Sequence, residues 1–150
     1  MTTRTILAGT LNIIMQSDLN TLANGAAVIS AATENTVMTG GVVTPTNSNY
    51  PNAEFEHVSS STAAATAQTT VLYWFLRAID GSTYEEGSSS VIPTRDPDLV
   101  FIMEALTSQR VTKQAKMPVG PFKVLCQNNS GQAFLSANKL SCKPFTDAFN

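Results

Sequence analysis

The sequence predicts an all-β domain: an antiparallel β-sandwich of jelly-roll-like form, carrying an N-terminal arm and a short helical turn. Three observations predict it. The densest apolar run, Thr69 to Gly81, is short, rich in aromatic and branched residues, holds the only tryptophan and stops on Asp80-Gly81, which reads as a strand buried on both faces. Several further short runs follow at a spacing of roughly 8–12 residues. Between them stand turn-forming clusters such as Gly40-Gly41, Pro118-Val-Gly-Pro121 and Asn128-Asn-Ser-Gly131, the punctuation of sandwiches and barrels.

The elements follow in order. Thr5 to Ile14 is the first strand. A helical turn comes next, with Ser17 as N-cap, Leu19, Leu22 and Ala23 on one face, and Asn24-Gly25 as its stop. Ala26 to Ala32 is a small-residue strand. Gly40 to Asn52, with two prolines and three asparagines, is a loop that cannot sustain a ladder. Ala53 to Val58 alternates, setting Ala53, Phe55 and His57 on one face and Glu54 and Glu56 on the other. Ser59 to Gln68 is a Ser/Thr/Ala loop. In the Thr69–Gly81 strand, Leu72, Trp74, Leu76 and Ala78 share one face, and Val71, Tyr73, Phe75, Arg77 and Ile79 the other. A loop from Glu85 to Pro97 leads to a strand at Asp98–Ala105. In Thr107–Met117, Val111, Ala115 and Met117 alternate with Arg110, Thr112, Gln114 and Lys116. Lys113 interrupts the apolar set, which marks an edge or an interface. Phe122–Gln127, the Asn128–Gly131 turn and Lys139–Phe145 complete the chain. Residues 1–52 form an arm, strand and loop suited to assembly contacts, and residues 53–150 the sandwich core, within one domain.

At 150 residues such a domain buries roughly 70% of the surface its unfolded chain exposes. Charged residues make up only 13%, about half the usual share, and Thr, Ser, Asn and Ala take their place. That surface suits packing against other protein. The net charge is −2 and the nine Lys and Arg are scattered, so no electrostatic footprint for nucleic acid is expected. No apolar stretch approaches the roughly 20 residues that span a bilayer, and Thr5–Met15 is too short and polar for a secretory h-region. Neither membrane association nor export is expected. Cys126 and Cys142 lack C-x-x-C spacing, and in a reducing cytosol two buried free thiols are favoured over a disulfide.

Candidate chemistry is sparse. His57 is the only histidine, so every triad or zinc arrangement within one chain must use it. Its phase with Phe55 favours a buried, hydrogen-bonded role. Asp96-Pro97-Asp98 and Glu85-Glu86 are the best carboxylate clusters for calcium or glycoside chemistry, without the supporting loop pattern. Asn128-Asn129-Ser130 matches a glycosylation acceptor only formally, and reads as a turn. No cofactor and no metal is expected, and the chain reads as a non-enzyme.

Four stretches carry a family resemblance: Leu19-Asn-Thr-Leu-Ala-Asn-Gly-Ala26; Leu72 to Gly81; Pro97-Asp-Leu-Val-Phe with the Arg110 strand after it; and Pro118-Val-Gly-Pro-Phe-Lys-Val-Leu closed by Asn128-Asn-Ser-Gly-Gln-Ala133. Together they resemble structural proteins of tailed-bacteriophage virions, in particular the β-sandwich capsid decoration, or cement, type. The resemblance implies a protein of the capsid exterior, assembled in the bacterial cytoplasm, that binds the major capsid protein and copies of itself as a homo-oligomer. It brings no catalytic residues. On that reading the contacts fall to Ile6 and Leu7 in the N-terminal segment and Val42, Val43 and Tyr50 in the loop, with Arg110 and Lys116 as polar rim. The rival reading is a tail or baseplate module that binds another tail protein, or carbohydrate through aromatics around Tyr84 or Tyr50.

Overall fold

In the computed structural model, which describes residues 4–30, 51–78, 80, 83–118 and 122–149, nine strands carry the chain. They are β1 (Arg4–Ala8), β2 (Asn12–Met15), β3 (Ala27–Ile29), β4 (Asn52–Ser60), β5 (Thr70–Arg77), β6 (Leu99–Ile102), β7 (Ser108–Lys116), β8 (Phe122–Asn129) and β9 (Lys139–Phe149), with a 3₁₀ turn at Ser17–Leu19. Sheet A runs β1-β9-β4-β7, with β2 also on β9; sheet B runs β3-β8-β5-β6. Every ladder is antiparallel. The pairs β2·β9, β3·β8, β4·β7 and β5·β6 are nested one inside the next. One long hairpin has thus been rolled into two facing sheets, the jelly-roll arrangement.

Alternation decides which side chains meet between the sheets. Ala53, Phe55 and His57 of β4 are fully buried, as are Val71, Tyr73 and Phe75 of β5. They pack with Phe101, Phe122, Phe134, Leu140 and both cysteines in one core. Phe55 and Phe75 touch across it with ring centroids 5.2 Å apart, and Phe75 touches Phe122 at the same separation. Both thiols are buried and neither forms a disulfide; they lie on β8 and β9, which belong to different sheets.

The far face of β5 is covered differently. Trp74 and Leu76 join Ala27 and Leu125 in a second apolar cluster, roofed by Tyr84 and Ile92. The roof is the 83–98 loop rather than another sheet. It is held by the Trp74 indole N–H, which donates to Arg95 O at 3.0 Å, and by side chains that stand in for a missing strand. β6 reaches only as far as Leu99 opposite Tyr73. Beyond that point the Phe75 N–H donates to Asp98 Oδ2 at 2.7 Å, and Arg95 Nη2 donates to Phe75 O at 2.8 Å. The Glu85 N–H donates to Arg77 O at 3.0 Å. Arg95 closes the group with Asp98 at 2.7 Å and Glu85 at 3.1 Å. The backbone edge of β5 is therefore satisfied by a carboxylate and a guanidinium.

Several sequence expectations need correction. The expected Thr5–Ile14 strand is two strands, both on β9. Gly9 makes the last rung by donating to Pro144 O at 2.7 Å, and a register shift between Ile13 and Met15 turns both Ile14 and Met15 into the core. Ser17 is the first residue of the 3₁₀ turn and not its cap; Gln16 precedes it without a side-chain cap. Asn24-Gly25 does not end that turn. Gly25, at φ +79°, instead swings the chain into β3. The small-residue strand is Ala27–Ile29, shorter than expected, and residues 31–32 lie outside the described residues. β4 extends to Ser60, into the expected loop, and Ser61 bridges Phe134. β6 is shorter than Asp98–Ala105, because Asp98 serves the clip. β9 runs on to Phe149 because β1 pairs with its second half. With β1 and β2 in sheet A and β3 in sheet B, residues 4–29 are part of the sandwich.

Candidate functional site

The residues with chemical potential divide between the core and one face. His57 lies wholly in the core, among Tyr73, Phe101 and Phe134, with ring centroids 5.6–5.8 Å away. Its Nδ1 is 2.8 Å from the Tyr73 phenol and its Nε2 has no partner. Burial drops its pKa from 6.5 to about 3, so the ring is neutral at physiological pH. Burial also pushes the Cys126 and Cys142 thiols up to about 12, and raises the Tyr73 phenol, with Cys126 beside it adding to the effect.

Of the acidic candidates, Asp98 and Glu85 are engaged by cations. Both face Arg95, and Arg77 reaches Asp98 at 3.5 Å. A depression of about 250 Å³ lies between Glu85-Glu86 and the Val91–Arg95 stretch. Among the described residues no three His, Cys, Asp or Glu side chains are grouped to hold a metal ion. Tyr84 is half-buried, its ring packed on the Trp74 cluster and capped by Lys123 Nζ at 4.8 Å.

Three of the expected contact residues meet on the solvent face of sheet A. Register places them there. Ala8 pairs with Phe145, Phe145 with Asn52, and Asn52 with Lys116, so these residues share one face with Ile6, two positions from Ala8, and with Arg110, opposite Val58. Ile6 is 60% exposed, and Arg110 and Lys116 are exposed as well. Leu7 sits in β1 opposite Thr146. Val42, Val43 and Tyr50 lie outside the described residues.

The same face holds residues the sequence did not single out. A shallow depression of about 240 Å³ is lined by Ile6, Ala8, Glu54, Gln114, Lys143 and Phe145. Beside it Ile13 is 47% exposed, and Ser141, its ladder partner, is buried with no hydrogen-bond partner for its hydroxyl. Arg110 pairs with Glu56 at 3.3 Å with its own side chain 65% exposed, a contact that adds little stability. The face mixes aliphatic and amide groups with charged side chains of both signs, Glu54, Glu56, Arg110, Lys116, Lys139 and Lys143. Its signal in the sequence was the alternation within each strand; which strands lie side by side was not readable.

Comparison with protein-family models, curated proteins and solved structures returns no match.

Proposed function

We propose that this chain is a structural protein of a tailed-phage virion, a capsid decoration protein that binds the assembled head lattice through the solvent face of sheet A. The observation that carries this reading is that face, which presents Ile6, Arg110 and Lys116 together and carries a shallow depression lined by Ile6, Ala8 and Phe145 among others. The jelly roll supports it, since capsid proteins use this architecture repeatedly, although lectin domains use it too and the fold alone does not choose between them. The resemblance of the four sequence stretches adds the tailed-phage context. Mechanistically, a protein that binds the assembled lattice and not its free subunits shifts the equilibrium toward assembly by mass action. Many copies on a symmetric shell multiply the effect.

The carbohydrate reading depends on an aromatic ring free to stack. Tyr84, with its ring packed and capped, does not offer one.

The test is copy number in purified particles of the phage that encodes this chain. Hundreds of copies per particle support decoration. A handful moves the chain to the tail or baseplate, and absence from the particle overturns the virion reading.

A further inference from the structure

The edge of sheet A formed by β7 carries no further strand among the described residues, and there β7 pairs with β4 alone. Two hydrogen bonds bracket that ladder: Ser61 N–H donates to Thr107 O at 2.9 Å, and Met117 N–H donates to Pro51 O at 3.0 Å. Antiparallel bonding alternates by two residues. The odd positions Gln109, Val111, Lys113 and Ala115 therefore bond to β4. The even positions Ser108, Arg110, Thr112, Gln114 and Lys116 direct their N–H and C=O groups outward. At nine residues β7 is a long edge, the kind that natural sheets shorten, bend, cover or stud with charged side chains, as Lys113 does here.

Its side chains state what would fit. Arg110, Lys113 and Lys116 are the charged residues of β7, and it has no Asp or Glu. Lys113 and Lys116 have no acidic partner within 4 Å among the described residues. Val111 and Ala115 are only half-buried, at the open side of the core. A second copy is a poor occupant: paired about Thr112, two such strands set Arg110 diagonally across from Lys116, and Lys113 from its own copy, with no carboxylate on either strand to offset the repulsion of like charges in reach of one another. We propose that β7 is a docking edge for an extended acidic segment of a partner protein, bound by β-augmentation, with acidic residues alternating with aliphatic ones. Its backbone completes the outward bonds of Arg110, Thr112 and Gln114. Its carboxylates lie beside Arg110 and Lys116 on the solvent face, and its aliphatic side chains cover Val111 and Ala115. Occupancy of this edge does not depend on the virion assignment, and copy number and peptide binding fail separately.

The experiment uses the full chain, isotopically labelled, and a capped seven-residue peptide alternating glutamate and valine. Addition of peptide is expected to shift the amide signals of Arg110, Thr112 and Gln114 and to slow their hydrogen exchange. Binding should weaken as salt rises, and a lysine–valine peptide should leave these amides unmoved. Thr112→Pro removes an outward N–H while sparing the bonds to β4, and should weaken binding about tenfold. A triple reversal, Arg110→Glu, Lys113→Glu and Lys116→Glu, should exchange the preference so that the lysine–valine peptide binds instead. Unmoved amides, equal binding of both peptides, or protection that grows with protein concentration alone would each overturn the proposal.

Discussion

The phenol oxygen of Tyr73 lies 2.8 Å from Nδ1 of His57, so a strand of sheet B and a strand of sheet A meet through a polar contact inside an aromatic core. Nε2 of the same ring has no partner, and this assigns the tautomer. A proton on Nε2 would orphan a buried N–H, whereas a proton on Nδ1 leaves only a lone pair unused. Orphaned N–H groups are the rarer case. His57 therefore donates to Tyr73, and the Tyr73 hydroxyl turns toward Cys126.

Stability should fall in acid because of His57. The folded chain keeps the ring neutral down to about pH 3, while the unfolded chain takes up a proton near pH 6.5. Between those values the unfolded state binds more protons, so the stability present above pH 6.5 is lost as pH falls, by about 3 kcal/mol at most between pH 7 and pH 4. Urea unfolding at the two pH values measures the drop. His57→Phe should flatten the slope, and an unchanged slope in that variant would refute the assignment.

Cys126 and Cys142 should be inert in the folded protein. Both are buried with thiols pushed up to about 12, so almost no thiolate is exposed to a reagent. A chromogenic disulfide reagent should titrate two thiols per chain in denaturant and none within minutes without it. Rapid native labelling of either would contradict this packing.

Asp98 should matter more than the other members of its cluster. It accepts the Phe75 N–H and holds Arg95, with its side chain only 16% exposed. Asp98→Ala leaves that N–H without an acceptor and should cost about 1–3 kcal/mol, read by chemical denaturation. Asp98→Asn keeps an acceptor and should cost less. Glu85→Ala, at an exposed pair, should change stability by about 1 kcal/mol or less.

Two glycines separate backbone strain from crowding. Gly25 and Gly131 have φ of +79° and +85°, so alanine is strained at both. A Cβ at Gly25 meets nothing within 4 Å, whereas one at Gly131 collides with Thr66 Oγ1. Gly25→Ala should cost about 1 kcal/mol and Gly131→Ala about 2–3 kcal/mol. Thr66→Ala should recover part of the second loss and none of the first. Equal costs would show that the Thr66 contact is soft.

What could be read in the sequence was whatever period-two alternation encodes. The inward set of β4 and the two apolar faces of β5 follow from it, and Lys113 marked β7 as an edge. The Asp98–Arg95 clip was hidden because a side chain replaces a strand only where the fold has brought it to that edge. The break between β1 and β2 is signalled by Gly9, but the register shift beside Ile14 is a property of the β9 ladder. For the candidate face, Ile6, Arg110 and Lys116 were chosen singly. Their common side arises from the order β1-β9-β4-β7, and each of those neighbours is more than 40 residues away along the chain.

β9 is the shared partner of β1, β2 and β4, and it is the last of the nine strands. During synthesis those three strands emerge long before the one that joins them. Sheet A closes only once Lys139–Phe149 has left the ribosome, so β1, β2 and β4 wait for it. Pairing β1 with β9 also puts the seven strands between them inside one loop, which makes for slow closure. In the interval Ile13, Phe55 and their neighbours are open to other chains. A protein produced in many copies at once would meet that hazard at its highest concentration.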